Sequence, residues 1–363
     1  MKTIMLNAYT KTNLGDDLFI KSVCERYPNT KFILYAPENY NKLKKRYKNL
    51  RVYRSNSILN KVINYSFRKL GISYVYNRRR IAKKCDASIY IGGSLFMQYD
   101  NWKEKYIFKK EMYIKNKPFF LIGANFGPYK TKEYYEKYYN LFSNFTDICF
   151  REKYSYDLFE KLNQVRYASD IIFNMKVDKK TERNNNTKNI VISVIKPSKK
   201  HIKGYDKTYY NGIKSIILHL IKNGHNVTMV SFCKPEGDEI AINEILNLIP
   251  EKYKISIKTH FYDLDIDKSL EVISEADLVV ATRFHAMILG WLYGIPVFPI
   301  SYSNKMENII DDIGFKGPYI KLEDMSSVNP DLILECMGNE VIDITEQKID
   351  SERHFAKLDN YIN

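Results

Sequence analysis

The stretch between residues 275 and 314 limits the possible folds more than any other part of the chain. It predicts strand, loop, helix, strand, loop and helix, in that order. Two short apolar runs are typical of strands buried on both faces, and two longer segments have helical spacing and end at glycine. Strands joined by a helical crossover are parallel. The predicted strands cover 277–281 and 295–300, and the predicted helices cover 286–293 and 306–313.

The loops that follow these two strands should meet at one edge of the parallel sheet. Residues 282–285 and 301–305 form these loops, and they carry Arg283, His285 and Lys305. Amide groups at helix N-termini favour anions at such an edge, and cationic side chains add to that preference. The alternative is a buried histidine with two solvated surface charges. Three cationic or titratable groups at one edge favour an anion-binding site.

Strands and helices alternate in both halves of the chain, which predicts two Rossmann-like α/β domains facing a cleft. A length of 363 residues suits two such domains. An Asn- and Lys-rich run without apolar residues marks the boundary. A C-terminal helix, with Phe355, Leu358 and Tyr361 on one face, could cross back to the first domain. The predicted parts are an N-terminal domain (1–180), a linker (181–188), a C-terminal domain (189–344) and this helix (345–363).

The chain is basic, with 57 Lys and Arg against 42 Asp and Glu. This balance suggests an acidic partner such as nucleic acid, phospholipid or a polyanionic substrate. No long, purely basic tail is present, so nucleic acid is not expected. The densest basic stretches, 42–51 and 78–84, have helical spacing and predict solvated helix faces, with an anionic membrane surface as the alternative. The aromatic and basic region 55–77 has weak periodicity and suggests no role.

The five cysteines are scattered and never spaced as CxxC, so neither a disulfide framework nor a zinc site is predicted. The N-terminus predicts a strand and no signal peptide. No apolar run approaches the roughly 18 residues that span a bilayer. The expected location is the cytoplasm, with peripheral attachment to the inner face of the membrane as a further option.

Polar or glycine-bearing loops follow several predicted strands of the first domain. A single glycine after the first strand is not a GxGxxG motif, so NAD is not predicted. Glycine at a strand end lets a ligand or another backbone approach, although tight turns are the simpler explanation for each loop alone. Arg151 follows its strand as Arg283 does in the other half. The candidate residues at these strand ends are Asn13, Gly15, Asp16, Gly92, Gly93, Ser94 and Arg151.

Taken together, the motifs at these loops resemble the polysaccharide pyruvyl transferase family over most of the chain. The C-terminal motif is the most specific part, because its elements must agree in order and spacing. Phe284 stands where the family usually has leucine, and Ile171 follows Asp170 where proline is common. The motifs are Asn13-Leu-Gly15-Asp16, Gly92-Gly93, Gly127-Pro128, Arg151-Glu152 with Ser155, Arg283-Phe-His285-Ala286, Gly294-Ile-Pro296, and Ser301-Tyr302 with Lys305.

The resemblance implies a glycosyltransferase B type fold and transfer of a pyruvyl group from phosphoenolpyruvate to a sugar, closing a ketal. Phosphoenolpyruvate is then a co-substrate, and no further cofactor or metal is implied. Its phosphate and carboxylate need cationic anchors, and the methylene carbon needs a proton that histidine can supply near neutral pH. His285 and Arg283 become the catalytic candidates, and the donor-binding candidates are Arg283, Lys305, Ser301 and Tyr302. The strand-end residues of the first domain become acceptor-binding candidates.

The acceptor implied is a sugar of a cell-surface polysaccharide, such as an exopolysaccharide or capsule, or a polyprenyl-diphosphate-linked oligosaccharide precursor. An anionic membrane surface is a further candidate partner. Two other functions fit the same residues. One is a glycosyltransferase of the same fold that uses a nucleotide sugar in exopolysaccharide synthesis. The other is a non-catalytic polyanion-binding protein at the membrane surface, which would have no use for a titratable His285.

Overall fold

The structure, a computed structural model, describes residues 1–177, 187–200, 202–338 and 341–363. The chain divides into two compact units. The first unit comprises Met1–Thr10, Asp16–Asn174 and Gln347–Asn363, and the second comprises Lys11–Gly15 and Met175–Glu346. Most of the predicted linker lies outside the described residues, because those residues end at 177 and resume at 187.

A seven-stranded sheet forms the centre of the first unit. Its strands are β1 (Thr3–Asn7), β2 (Lys31–Ala36), β3 (Leu50–Arg54), β4 (Ala87–Ile91), β5 (Phe119–Ala124), β6 (Asp147–Phe150) and β7 (Val165–Tyr167). The helices are α1 (Leu14–Arg26), α2 (Asn41–Arg46), α3 (Ile58–Lys69), α4 (Tyr76–Ala82), α5 (Trp102–Met112), α6 (Lys132–Phe142) and α7 (Lys153–Phe159). All neighbouring strands are parallel, in the order β3-β2-β1-β4-β5-β6-β7.

The central strands of this sheet are apolar because both of their faces are covered. Every residue of β4, β5 and β6 is buried. An aromatic cluster packs on one face, and Phe126, in the loop after β5, lies at its centre. The Phe126 ring has its centroid 4.8 Å from that of Phe159, 5.4 Å from Tyr134 and 5.6 Å from Tyr138. Aromatic packing therefore fixes the loop that carries Asn125.

The second unit repeats this architecture with a six-stranded sheet. Its strands are β8 (Asn189–Ser193), β9 (Asn226–Ser231), β10 (Ile257–Phe261), β11 (Leu278–Ala281), β12 (Val297–Ser301) and β13 (Ile320–Lys321). Its helices are α8 (Asp206–Lys222), α9 (Asp238–Leu248), α10 (Glu251–Lys254), α11 (Ile266–Ser274), α12 (Phe284–Leu292), α13 (Asn304–Asp312) and α14 (Asp331–Cys336). The strand order is β10-β9-β8-β11-β12-β13, and all pairs are parallel.

The predicted class of two Rossmann-like parallel-sheet domains is confirmed, and residues 275–314 form β11, α12, β12 and α13 as expected. The sequence also predicts strands at 254–258 and 166–170 and a solvated helix face over 42–51, and the structure differs from it at three points. The strand predicted at 254–258 starts only at Ile257, because the short helix α10 occupies the preceding residues. The strand predicted at 166–170 is Val165–Tyr167. The edge strand β3 was not predicted, because three of its five residues are exposed and its pattern reads as part of a basic surface.

The C-terminal helices are α15 (Thr345–Ser351) and α16 (Ala356–Ile362), and the chain from Gln347 onwards groups with the first unit. Phe355 and Leu358 are fully buried there. Arg26 of α1 forms a two-pronged ion pair with Asp359, with Nε and Nη2 at 3.0 and 2.7 Å from the carboxylate oxygens. Apolar burial and this fork hold the last helix on the first unit.

His354, just before α16, is fully buried and its Nε2 donates a hydrogen bond to the Ser169 carbonyl at 2.8 Å. Burial lowers the pKa of His354 to about 4, although the Asp170 carboxylate acts in the opposite direction. In the unfolded chain a histidine has a pKa of about 6.5. Between these values the unfolded state binds a proton that the folded state does not. Stability therefore falls as the pH drops through this window.

We expect this residue to remove about 3 kcal/mol of unfolding free energy between neutral pH and pH ~4. His354→Gln should lack this share of the pH dependence, since glutamine does not titrate. Urea unfolding of both proteins at several pH values measures the difference in slope. His219→Gln, at a partly exposed histidine of the second unit, is the matched control. Parallel pH profiles for wild type and His354→Gln would contradict the prediction.

Candidate functional site

The loop between β11 and α12 is fixed from the neighbouring strand. The backbone N–H groups of Thr282 and Arg283 both donate to Oγ of Ser193, which ends β8, at 3.0 Å each. Thr282 Oγ1 also lies 2.9 Å from the Tyr209 hydroxyl. Arg283 precedes α12 with an extended backbone. Arg283 therefore belongs to the loop and not to the helix that carries His285.

The Arg283 guanidinium is buried and paired with two carboxylates. Its Nε lies 3.0 Å from Oδ2 of Asp238, its Nη2 binds the other oxygen of the same group, and its Nη1 lies 2.5 Å from Oε2 of Glu236. Burial would lower the pKa of Arg283, but these two carboxylates raise it well above its usual value. Burial would likewise raise the pKa of Glu236, yet Arg283 and Lys200 together hold it at about 2. Internal carboxylates thus occupy the fork for which the sequence suggested a donor anion.

His285, in the first turn of α12, lies directly against Gly15. A Cβ atom added to Gly15 would lie 1.9 Å from Nδ1 of His285, so only glycine leaves room for the ring in this position. His285 is half-buried, and its Nε2 is shielded from solvent. The Phe284 ring stands nearly perpendicular to the imidazole, with centroids 5.1 Å apart. The ring orientation is therefore set by Gly15 and Phe284.

The segment Lys11–Gly15 is held in the second unit by the end of β9. The Leu14 N–H donates to the Phe232 carbonyl at 2.9 Å, and Asn13 forms an antiparallel bridge with Cys233. The Gly15 N–H donates to Oδ1 of Asn13 at 3.1 Å, which closes a turn. The sequence assigned Asn13 and Gly15 to the acceptor side of the first domain. That domain assignment was wrong, because backbone hydrogen bonds attach this loop to the second unit.

The loop after β12 carries the remaining donor-side candidates. Lys305, in the first turn of α13, places its Nζ 3.8 Å from the centroid of the Phe284 ring. Ser301 is buried, and its Oγ lies 3.3 Å from the Ser303 carbonyl and 3.3 Å from Glu307. Tyr302 packs on the core of the unit. Since β11 and β12 are parallel neighbours, the structure brings Lys305 and the residues around His285 to one sheet edge.

Arg151 has an equivalent environment in the first unit. It follows β6, its side chain is buried, and its Nη1 lies 2.7 Å from Oδ2 of Asp170. Its Nη2 donates to Oδ1 of Asn125 at 2.9 Å. A Cβ on Gly93 would lie 2.2 Å from the same Nη2, so the guanidinium passes directly over this glycine. The sequence suggested acceptor binding for Arg151, whereas its fork is held by Asp170 and Asn125.

Three further acceptor-side candidates lie near this cluster in the first unit. Ser94 is exposed, and its Oγ lies 3.3 Å from Oδ1 of Asn125. Gly92 has a positive φ of 147°, which few other residues adopt, and a Cβ there would lie 3.6 Å from Oδ1 of Asp16. The carboxyl ends of the neighbouring strands β1 and β4 therefore lie close to four candidates, which are Asp16, Gly92, Gly93 and Ser94.

Sequence reasoning missed the acidic and amide partners of both arginines, which are Asp238, Glu236, Asp170 and Asn125. One signal was available for the first two. Both follow β9, so the strand-end rule places them at the same sheet edge as Arg283. In the first unit, the Ser155 hydroxyl donates to the Glu152 carboxylate at 2.6 Å, and the oxygen of the same hydroxyl accepts the Phe126 N–H at 2.7 Å. These two hydrogen bonds connect the Arg151-Glu152 motif to the residue that precedes the Gly127-Pro128 motif.

All five cysteines are free and buried, and burial raises their thiol pKa values. Deprotonated thiolates are therefore disfavoured at neutral pH. Within the ranges that the structure describes, no helix has both the length and the apolar character needed to cross a bilayer.

Comparisons with solved structures agree with this fold. Anabaena Alr3699/HepE, solved with UDP and glucose, superposes with a TM-score of 0.59 at 12% identity, covering 100% of this chain and 99% of that one. UDP-GlcNAc 2-epimerase from Neisseria meningitidis gives 0.60 at 11% identity, with 99% and 100% covered. E. coli ADP-heptose LPS heptosyltransferase II gives 0.50 at 14%, with 93% and 98% covered. These neighbours confirm the glycosyltransferase B type of fold.

Sequence comparisons identify the family. The amylovoran biosynthesis protein AmsJ of Erwinia amylovora is 22% identical over 256 residues, which cover 64% of this chain and 60% of that protein. The match thus spans less than two thirds of that relative's length. The family model described as polysaccharide pyruvyl transferase matches residues 13–304, which include every candidate discussed above except Lys305. The chain therefore belongs to the polysaccharide pyruvyl transferase family.

Proposed function

We propose that the protein transfers the pyruvyl group of phosphoenolpyruvate to a sugar and closes a cyclic ketal over two hydroxyls. The observation that carries the proposal is the edge formed by β11 and β12, where His285 and Lys305 follow neighbouring strands. His285 lies within the family match, which ends one residue before Lys305. A titratable imidazole and an ammonium group suit an anionic donor that must be protonated. Family membership and the likeness to a polysaccharide biosynthesis protein support the sugar acceptor.

The proposed reaction begins with proton transfer from the His285 imidazolium to the methylene carbon of the donor. The former double-bond electrons form the new C–H bond, and C2 becomes electrophilic. A sugar hydroxyl adds to C2 and loses its proton, and phosphate leaves as its C2–O bond breaks. A second hydroxyl then adds to C2 and closes the ketal. One hydroxyl proton restores His285, and the other leaves with phosphate, so protons and electrons balance.

The donor anion is assigned to Lys305, which can act as a point charge for phosphate or carboxylate. Arg283 is assigned a positioning role, because its guanidinium already binds Asp238 and Glu236. Gly15 leaves room for the imidazole, because its backbone carries no Cβ at the position of Nδ1. Ser301 and Tyr302 shape the loop that carries Lys305. Acceptor binding is assigned to the first unit, at Asp16, Gly92 to Ser94 and the loop that Arg151 supports.

The acceptor class is proposed from the family match and the polysaccharide biosynthesis relative. We place the enzyme in the cytoplasm, acting on a sugar of an exopolysaccharide or capsule, or on its polyprenyl-diphosphate-linked precursor. No metal takes part in the proposed steps. A glycosyltransferase that uses a nucleotide sugar is the competing function, since Alr3699/HepE, which was solved with UDP and glucose, has the same fold.

A donor comparison tests the proposal directly. The protein is incubated with phosphoenolpyruvate or with UDP-, GDP- and CDP-sugars, together with nitrophenyl glycosides or lipid-linked sugars as acceptors. We expect thermal stabilisation by phosphoenolpyruvate, release of phosphate, and an acceptor whose mass increases by one ketal-linked pyruvate. Stabilisation by a nucleotide sugar instead, with transfer of a whole sugar, would replace the proposal with the competing function.

A further inference from the structure

The whole excess of positive charge lies in one segment of the first unit. Residues 39–85 contain fifteen Lys and Arg and no Asp or Glu. Of the chain's 57 basic and 42 acidic residues, 42 of each sign therefore remain outside this segment. The segment includes α2, α3, α4 and β3, and β3 is an edge strand of the sheet. The exposed Lys and Arg side chains of this segment will therefore attract a polyanion.

Helix α3, in the middle of this segment, packs against the protein with a side that carries Asn60 and Asn64 together with the half-buried Ile63 and Phe67, whose ring stacks on that of Tyr76. Asn60 Nδ2 donates to the Arg54 carbonyl at 2.5 Å, and Asn64 Nδ2 donates to the Tyr35 hydroxyl at 3.2 Å. Asn77 bonds to both asparagines, with its N–H on Asn64 and its Nδ2 on Asn60, at 3.2 and 3.1 Å. These hydrogen bonds fix which side of α3 faces inward.

The opposite side of α3 is apolar and exposed. Ile58, Leu59, Val62 and Tyr65 follow helical spacing, and their exposed fractions are 81, 69, 56 and 65%. No residue of this helix is buried. The apolar surface continues into the next turn with Leu70 and Ile72, which are 71 and 60% exposed. A second, exposed set of apolar residues on a surface helix, beside the one that packs inward, indicates an apolar environment outside the protein.

Cationic side chains flank this apolar side. Lys61 and Lys69 are exposed on α3, and Arg51 is exposed on the edge strand β3. An exposed apolar helix face with Lys and Arg around it is the arrangement of helices that lie in the interface of an anionic bilayer. Nucleic acid would bind the charges but would leave the aliphatic side chains in water.

We propose that α3 and the basic segment around it dock on an anionic phospholipid bilayer, with the apolar face in the headgroup region. This surface would bring the enzyme to lipid-linked acceptors, but it stands on the first unit's own residues and does not depend on the proposed reaction. No rearrangement is needed, since the asparagines of α3 already hold its apolar side outward.

Vesicle co-sedimentation of the full chain tests this proposal without any substrate. Vesicles of phosphatidylcholine alone are compared with vesicles that also contain phosphatidylglycerol. We expect sedimentation with the anionic vesicles, weakening with added salt, and much less with the neutral ones. Lys61→Gln with Lys69→Gln should lower the partition coefficient about tenfold or more, because two charges attracted to the anionic surface are lost.

Loss of the apolar side chains separates membrane docking from a purely electrostatic site. Leu59→Asn with Val62→Asn should also lower the partition coefficient about tenfold or more, since burial of aliphatic side chains is lost. Ile255→Asn, at a residue of the second unit that is 93% exposed, is the matched control and should bind normally.

Full binding by the Leu59/Val62 variant would overturn the proposal in favour of a general polyanion site, including one for nucleic acid. Absence of sedimentation with anionic vesicles would also overturn it. The substituted residues are exposed, so unchanged thermal unfolding is expected for all variants.

Discussion

Replacing His285 with asparagine should lower kcat by about 10²-fold or more, the usual scale for loss of a general acid, and should change the Kd for phosphoenolpyruvate little. Asparagine can keep a hydrogen bond at this position but carries no proton near neutral pH. Single-turnover kinetics and calorimetry of the donor measure the two quantities separately. Near-normal turnover would assign the proton to another group, such as Lys305.

Gly15→Ala provides an independent test, because it leaves His285 chemically intact. The added methyl group would occupy the space of Nδ1, so the imidazole must move. The backbone of Gly15 is not in the left-handed region, so alanine itself is not strained. We expect a clear loss of kcat with the donor affinity retained. Gly224→Ala, in the same unit, is a control for a glycine with open space around it, although its positive φ costs some stability.

Replacing Arg283 with methionine should lower the unfolding free energy of the second unit by about 3–5 kcal/mol, since two buried or partly buried carboxylates lose their counter-charge. Trp291, buried in α12, reports this unit by fluorescence in urea, and Trp102 of the first unit can be silenced with Trp102→Phe. Lys305→Met, at the same sheet edge, should change the unfolding free energy by less than about 1 kcal/mol.

The role of Arg283 is decided by what the methionine variant loses. If the ion pair is structural, Asp238→Asn should recover part of the stability in the Arg283→Met background, because one uncompensated charge is removed. If the variant keeps its stability but no longer binds phosphoenolpyruvate, Arg283 leaves its carboxylates to hold the donor. That second result would support the role suggested by the sequence.

The sequence predicted the strands and helices of residues 275–314 because each strand there is a continuous apolar run. It also predicted that Arg283, His285 and Lys305 would follow strands of one sheet, since the order of elements alone decides this. The partners of Arg283 could not be predicted in the same way. Asp238 and Glu236 come from a different strand end, and only side-chain geometry shows that they fill the guanidinium fork.

Two other features escaped prediction for different physical reasons. The loop that carries Asn13 and Gly15 directly follows the first strand, so sequence order assigns it to the first domain. Its backbone pairing with Phe232 and Cys233 attaches it to the second unit instead. The exposed apolar stripe of α3 lies in the region 55–77, whose weak periodicity suggested no role. Its exposure becomes visible only when the asparagines on the other side are seen to bond inward.

The attachment of Gln347–Asn363 to the first unit has a consequence for synthesis on the ribosome. The nascent chain completes residues 175–346 before the segment that supplies Phe355, Leu358 and the Asp359 partner of Arg26 has been translated. The second unit can therefore finish folding first. Until α16 is translated, the surface of the N-terminal unit that α16 covers stays exposed. Translation that stops shortly before residue 347 would release a chain with that apolar surface exposed, a substrate for chaperones and proteases.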